Sequence, residues 1–145
     1  MRATEIGSEV IGHSWDHRDL TRLSVQQITN QINDTSNLIE EVTGISPQLF
    51  RPPYGATNQR VVDVARSLGY GIVRWSIDPQ DWRYRDAEHV YNFIMDRVVD
   101  GSIILLHDIR PTTAEAMTYL IPSLISAGYQ LVTVSELIEH VYGGI

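Results

Sequence analysis

Hydrophobic and polar positions alternate between two periods along this chain. Runs that are mostly apolar and β-branched occupy residues 9–12, 48–50, 71–77, 102–106 and 130–134, the pattern of short strands buried on both faces. The stretches between them carry apolar residues at helical spacing. Val25, Ile28, Ile32, Ile39 and Val42 share one face of a predicted helix, which Ser24 and Gln27 open as a capping box and Gly44 closes. A second predicted helix spans residues 58–68 and ends at Gly69. Asp86 caps a third that uses Val90, Phe93, Ile94 and Val98 and stops at Gly101. Thr112 and Glu115 cap a fourth, which Pro122 should kink before it reaches Gly128. The helix-to-strand joints at residues 68–73 and 127–132, LGYGIV and AGYQLV, resemble each other. Strand and helix alternating through short joints predict an α/β fold with a parallel sheet, open or closed into a barrel. With 145 residues and no dividing linker, one domain over residues 1–145 is expected.

Composition narrows the function more than the fold. Eleven Lys and Arg against eighteen Asp and Glu give a net charge of −7, without a basic cluster. That balance argues against a nucleic-acid partner or an anionic membrane surface. The chain has no cysteine, so any metal must sit on His, Asp or Glu, and thiolate chemistry is excluded. No segment approaches the roughly twenty apolar residues of a membrane span.

Residues able to do chemistry follow the predicted strands. His13 and His17 come after the first, Arg51 and Tyr54 after the second, Asp78, Asp81 and Trp82 after the third, and His107 and Asp108 after the fourth. In parallel α/β folds the C-terminal strand ends open onto one face, where a site is assembled from several loops. Two histidines spaced H-x-x-x-H at a strand end, if followed by a helical turn, point both rings to one side as a divalent metal requires. The bland alternative is a pair of loop histidines, and catalytic zinc usually takes three protein ligands. RPPYG, residues 51–55, reads either as a rigid turn or as a stiff loop that aims Arg51 at a carboxylate and a backbone N–H at an oxyanion. DPQDW, residues 78–82, reads as a capped turn with a core tryptophan, or as an acid that orients a histidine beside an aromatic wall. His107 ends an apolar strand, where it is either a satisfied core group or, with a carboxylate partner, a general acid. His89 and His140 fit solvated helix surfaces, and Trp15 and Trp75 fit core or loop packing.

In this order and at these separations, HSWDH, RPPYG, DPQDW and LLHD resemble four of the five signature motifs of the polysaccharide deacetylases, the NodB homology domain of carbohydrate esterase family 4. The resemblance covers about residues 5–138. It implies a distorted (β/α)7-type barrel that removes N- or O-acetyl groups from chitin, peptidoglycan or xylan with one divalent metal, zinc first, with cobalt, nickel or manganese behind it. By the same resemblance His13 and His17 would be metal ligands, Arg51 would pair with the catalytic carboxylate, and Tyr54 would offer its backbone N–H to the oxyanion. Asp81 would tune and orient His107, the general acid. Trp82 and Leu105 would line the acetyl-methyl pocket.

The family's first motif, Thr-Phe-Asp-Asp-Gly, supplies the catalytic base and the third metal ligand, and no such stretch occurs here. The opening residues resemble instead the helix tail that leads into the second motif. The expectation is therefore an incomplete barrel with about five parallel strands, inactive until the missing segment is supplied, with a second chain as one source of it. Asp16 lies between the histidines at a position the family does not use, and its side chain should point away. Three functions follow. The first is an acetylated-polysaccharide deacetylase, with peptidoglycan N-acetylglucosamine ahead of chitin oligomers and acetylxylan and an extracellular or cell-wall setting. The second is a catalytically dead carbohydrate-binding or assembly module. The third is an unrelated metal hydrolase completed by Asp16 or Asp108.

Overall fold

A computed structural model of the chain describes residues 2–143. These fall into two compact units, one up to Arg74 and one from Trp75 onward, and each closes around its own apolar cluster.

The first unit begins with a one-turn helix, α1 (Arg2–Glu5). The predicted capping box opens α2 (Val25–Thr43): the Gln27 N–H donates to Ser24 Oγ at 3.3 Å, and the Ser24 N–H donates to Gln27 Oε1 at 3.0 Å. Gly44 ends the helix at φ 74°, a left-handed conformation that glycine adopts without steric penalty. The buried face is Ile28, Gln31, Ile32 and Ser36, whereas Val25 and Val42, predicted to share it, are exposed. Length explains the difference, because α2 has 19 residues and α3 (Gln59–Ser67), which packs on it, has 9. β1 (Leu49–Phe50) and β2 (Gly71–Ile72) pair in parallel, Leu49 with Gly71 and Phe50 with Ile72. On the other edge of β1, Gly12 donates to Leu49 O at 3.1 Å and accepts from Arg51 N–H at 2.8 Å. The run at 9–12 thus contributes one parallel bridge rather than a strand. Leu20, Leu23, Ile28, Ile32, Phe50, Val61, Val64 and Ala65 form the core between these elements.

In the second unit a parallel bridge joins Ile77 to Ile104, with Leu105 N–H donating to Ile77 O at 2.9 Å. The predicted strand at 71–77 is therefore split into β2 and this bridge, and the run at 102–106 is reduced to it. Asp86 caps α4 (Ala87–Met95) as expected, accepting from the Glu88 and His89 N–H groups at 2.9 and 3.3 Å. The helix stops before Val98, since Ser102 draws the chain round by accepting the Val99 N–H at 3.0 Å. α5 (Pro111–Ser126) starts before the predicted Thr112 cap, because Pro111 fits the first helical position, where no N–H partner is required. It continues through Pro122. The predicted strand at 130–134 does not form. Thr133 and Glu136 make a capping box, so Val134 becomes the first residue of α6 (Val134–Tyr142). α4 packs on α5 over Ile77, Ala87, Val90, Ile94, Ala116, Leu120 and Leu124.

The five predicted strands therefore appear, among the described residues, as one two-stranded parallel sheet and two parallel bridges. The α/β class and the parallel sense hold, while the strands are shorter than the apolar runs that predict them.

Candidate functional site

The Gly12 bridge places His13 beside the turn after β1, and the His13 ring bonds through Nδ1 to the Arg51 carbonyl. A carbonyl only accepts, so Nδ1 carries the hydrogen, and Nε2 is the nitrogen with the lone pair in the neutral ring. His17 lies 5.0 Å from His13, ring centre to ring centre, at an interplanar angle of 74°. No helical turn brings them together, contrary to the expectation from their spacing. The loop does so through two left-handed non-glycine residues, Ser14 at φ 67° and His17 at φ 60°. It is clamped from α2, where the buried Gln31 accepts the N–H groups of Trp15 and Asp16 on Oε1 at 3.0 and 3.2 Å. Ser14 Oγ accepts the His17 N–H at 3.0 Å.

RPPYG forms the rigid turn its prolines predict. Pro53 and Gly55 are buried, and Tyr54 between them is 69% exposed at φ 59°, its ring 4.9 Å from that of His17. Burial lowers the Arg51 guanidinium from its ordinary pKa, and its Nε has no hydrogen-bond partner among the described residues. Asp16 is exposed and pairs with Arg18 at 2.8 Å, and Trp15, expected in packing, is also exposed.

In the second unit Asp81 is fully buried, at 0% exposure, and accepts three hydrogen bonds. Oδ1 takes the His107 Nδ1–H at 2.7 Å, while Oδ2 takes the His107 backbone N–H at 2.7 Å and the Thr113 hydroxyl at 2.7 Å. Burial pushes the Asp81 carboxyl up. The bonds from the His107 ring, the Thr113 hydroxyl and the His107 N–H, with the charge on His107, outweigh it and hold the carboxyl below its ordinary value. Asp78 Oδ1 accepts the Gln80 N–H at 2.8 Å, which supports Gln80 at φ 51° and turns the chain into Asp81. Leu105 is buried and Trp82 is 48% exposed. His89 is not the solvated group expected: its Nε2 faces Pro79 O at 3.2 Å, and its ring lies 4.5 Å from Tyr84 and 5.8 Å from Phe93. A cavity of about 1070 Å³ in this unit is lined by Ile104, Leu106, Met117, Leu120 and Leu131, and none of Asp81, Trp82, Leu105 and His107 borders it.

Gln31 and Thr113 are the site-supporting residues that motif reading missed. Both are polar residues in phase with an apolar stripe, Gln31 next to Ile28 and Ile32, Thr113 before Ala116 and Leu120. The donor chemistry of His13 and His17 suits a divalent ion that accepts imidazole nitrogen. The pair is one short of the usual three protein ligands, and among the described residues no group of three or more His, Asp or Glu converges.

The polysaccharide deacetylase family model matches residues 1–73. The chain is 42% identical over 139 residues to the peptidoglycan-N-acetylmuramic acid deacetylase PdaC of Bacillus subtilis, covering 96% of this chain and 29% of that protein. The solved structure of PdaC matches with a TM-score of 0.89 over 95% of this chain and 67% of that one. The chain is 43% identical to the peptidoglycan-N-acetylglucosamine deacetylase PgdA of Listeria monocytogenes, over 94% of this chain and 28% of that protein. A CE4 family pseudoenzyme from Bacillus anthracis matches with a TM-score of 0.89 at 28% identity, over 94% of this chain and 48% of that one. The chain thus spans under a third of the length of the first two curated relatives. Four ordered motifs, the matched family model and these relatives agree that the chain belongs to the polysaccharide deacetylase family.

Proposed function

We propose that the protein removes acetyl groups from N-acetylated sugars of peptidoglycan, with chitin oligomers and acetylxylan as lesser substrates, in a site completed by a divalent metal, zinc first. The observation that carries this reading is the bond from the half-buried His107 to the buried Asp81, which at 2.7 Å uses the Nδ1 side of the ring and leaves Nε2 for chemistry. Relatives described as peptidoglycan deacetylases support the substrate class.

When bound, the metal supplies Lewis-acid polarisation of the acetyl carbonyl and a water more acidic than bulk water. His13 and His17 would hold it with one further ligand, and a carboxylate would serve as base. Tyr54 presents its backbone N–H to the developing oxyanion, and Arg51 orients the base. Asp81 keeps His107 in the Nδ1–H form and compensates its second proton at Nε2. That proton passes to the leaving amine nitrogen as the amide C–N bond breaks and acetate departs. Trp82 and Leu105 receive the acetyl methyl.

The test is acetate release from purified peptidoglycan and chitin oligomers by the intact protein with zinc. Release should fall at least ~10²-fold in His107→Asn and stop on chelation. The match to a pseudoenzyme favours one rival, a module that binds sugar without turnover. Sugar binding with no acetate release from any of these substrates would establish that rival and sink the deacetylase reading.

A further inference from the structure

We infer that Thr113 is a positioning residue, which locks the Asp81 carboxylate as an anion with Oδ1 reserved for the His107 ring. The inference rests on the deacetylase reading only for its consequence in catalysis; its geometry stands alone.

Asp81 and Thr113 are 0% and 3% exposed, so solvent is shut out as a partner for either group. An ionised carboxylate only accepts, and the 2.7 Å contact therefore orients the Thr113 hydroxyl hydrogen at Oδ2. Oδ2 also takes the His107 N–H. With two donors on Oδ2 and the ring on Oδ1, rotation of the carboxylate about its last torsion would break three bonds at once. Among the described residues His107 is the titratable group that bonds to Asp81; the hydroxyl of Thr113 reaches it from α5, and Asp108, next to His107 in the chain, is exposed.

A valine at this position would fill the same volume and still allow helix. It would leave Oδ2 with the His107 N–H alone, so the carboxylate would bind a proton more readily and its orientation would relax. Serine would keep the donor. Thr113 thus acts on the reaction through Asp81 and His107, without itself touching substrate.

The test follows the Asp81 side-chain carboxyl by ¹³C NMR across acid pH in the intact protein. Thr113→Val should raise the midpoint of its titration by roughly one unit, while Thr113→Ser should stay near the native value. An unchanged midpoint in Thr113→Val would overturn the inference, as would a serine variant that behaves like valine, since packing alone would then account for the residue. If the valine variant does not fold, the native protein supplies the check. Its Thr113 hydroxyl proton should resist solvent exchange and shift as Asp81 titrates, and a rapidly exchanging hydroxyl would overturn the inference. In the deacetylase assay Thr113→Val should lower kcat about tenfold with KM unchanged. A moved Asp81 midpoint without acetate release from the native protein would refute the functional reading and leave the coupling intact. Native release with an unmoved midpoint would do the reverse.

Discussion

In the first unit the His13 ring is tied through Nδ1 to the Arg51 backbone carbonyl; in the second the His107 ring is tied through Nδ1 to the Asp81 carboxylate. Both bonds select the same tautomer. They differ in charge and in what holds the acceptor. The carbonyl is neutral and fixed by the path of the chain, through the Gly12 bridge and the prolines of RPPYG. The carboxylate is charged and buried, so it needs donors of its own, and three hydrogen bonds meet that need. A neutral acceptor leaves an imidazole suited to ligation, whereas an anionic acceptor compensates a ring that carries a second proton. One unit thus positions its histidines by backbone conformation and the other by a side-chain network.

The largest effect expected from this difference is at Asp81. Asp81→Ala would leave the Thr113 hydroxyl and the His107 N–H without their buried acceptor, a loss of roughly 3–5 kcal/mol in chemical denaturation. His13→Ala removes the bond to the neutral Arg51 carbonyl and the ring contact with His17, leaves no buried charge unpaired, and should lose about 1–2 kcal/mol. Equal losses would break the comparison.

Acid should act through the same group. The folded Asp81 carboxyl lies below its ordinary value, so its contribution to stability is fully present above the unfolded value of about 3.9. It is lost as pH falls through the folded value, because the unfolded chain then binds the proton first. Denaturation curves between about pH 5 and pH 2 should show this slope in the native protein and a shallower one in Asp81→Asn. The same slope in both would mean that Asp81 does not carry the acid sensitivity.

The elements that sequence reveals most reliably are those whose signals are local. Ser24 with Gln27 and Asp86 cap helices as their spacing predicts, since a cap needs only its own first turn, while Asn58, expected as the first residue of its helix, is its cap instead. Thr133 and Glu136 carry the same signal for α6, overridden in reading by the β-branched run before it. Strands were legible as apolar runs but not as ladders, because a ladder depends on neighbours that no local pattern records. The four motif loops were legible as motifs. Their supports, Gln31 and Thr113, were hidden because each looks like an ordinary polar residue on a helix. What marks them is phase: a polar side chain in register with a buried stripe must find a partner.

Gln31 sharpens the comparison from the side of the first unit. Gln31→Leu would leave the Trp15 and Asp16 N–H groups without their acceptor. A loss of about 1–3 kcal/mol is expected. If His13 and His17 bind zinc as proposed, affinity should also fall by roughly tenfold, the scale for removing a group that orients metal ligands. Calorimetric zinc titration of the intact variant checks it, and native affinity with reduced stability would confine Gln31 to folding.

The smallest effect, and the most direct probe of backbone positioning, is at Tyr54. Its φ of 59° lies in the left-handed region, and its side chain is 69% exposed with a ring contact to His17. A non-glycine residue there is strained by about 1–2 kcal/mol. Tyr54→Gly relieves that strain but adds freedom to the unfolded chain and removes the ring contact, so stability should change by less than ~1 kcal/mol. Tyr54→Val also removes the ring but places a β-branched side chain at the same φ, and should fall below the glycine variant by about 1–2 kcal/mol. The gap between the two variants isolates the backbone. If valine is tolerated as well as glycine, the turn does not depend on this left-handed residue, and conformation is not what positions the first unit's loop.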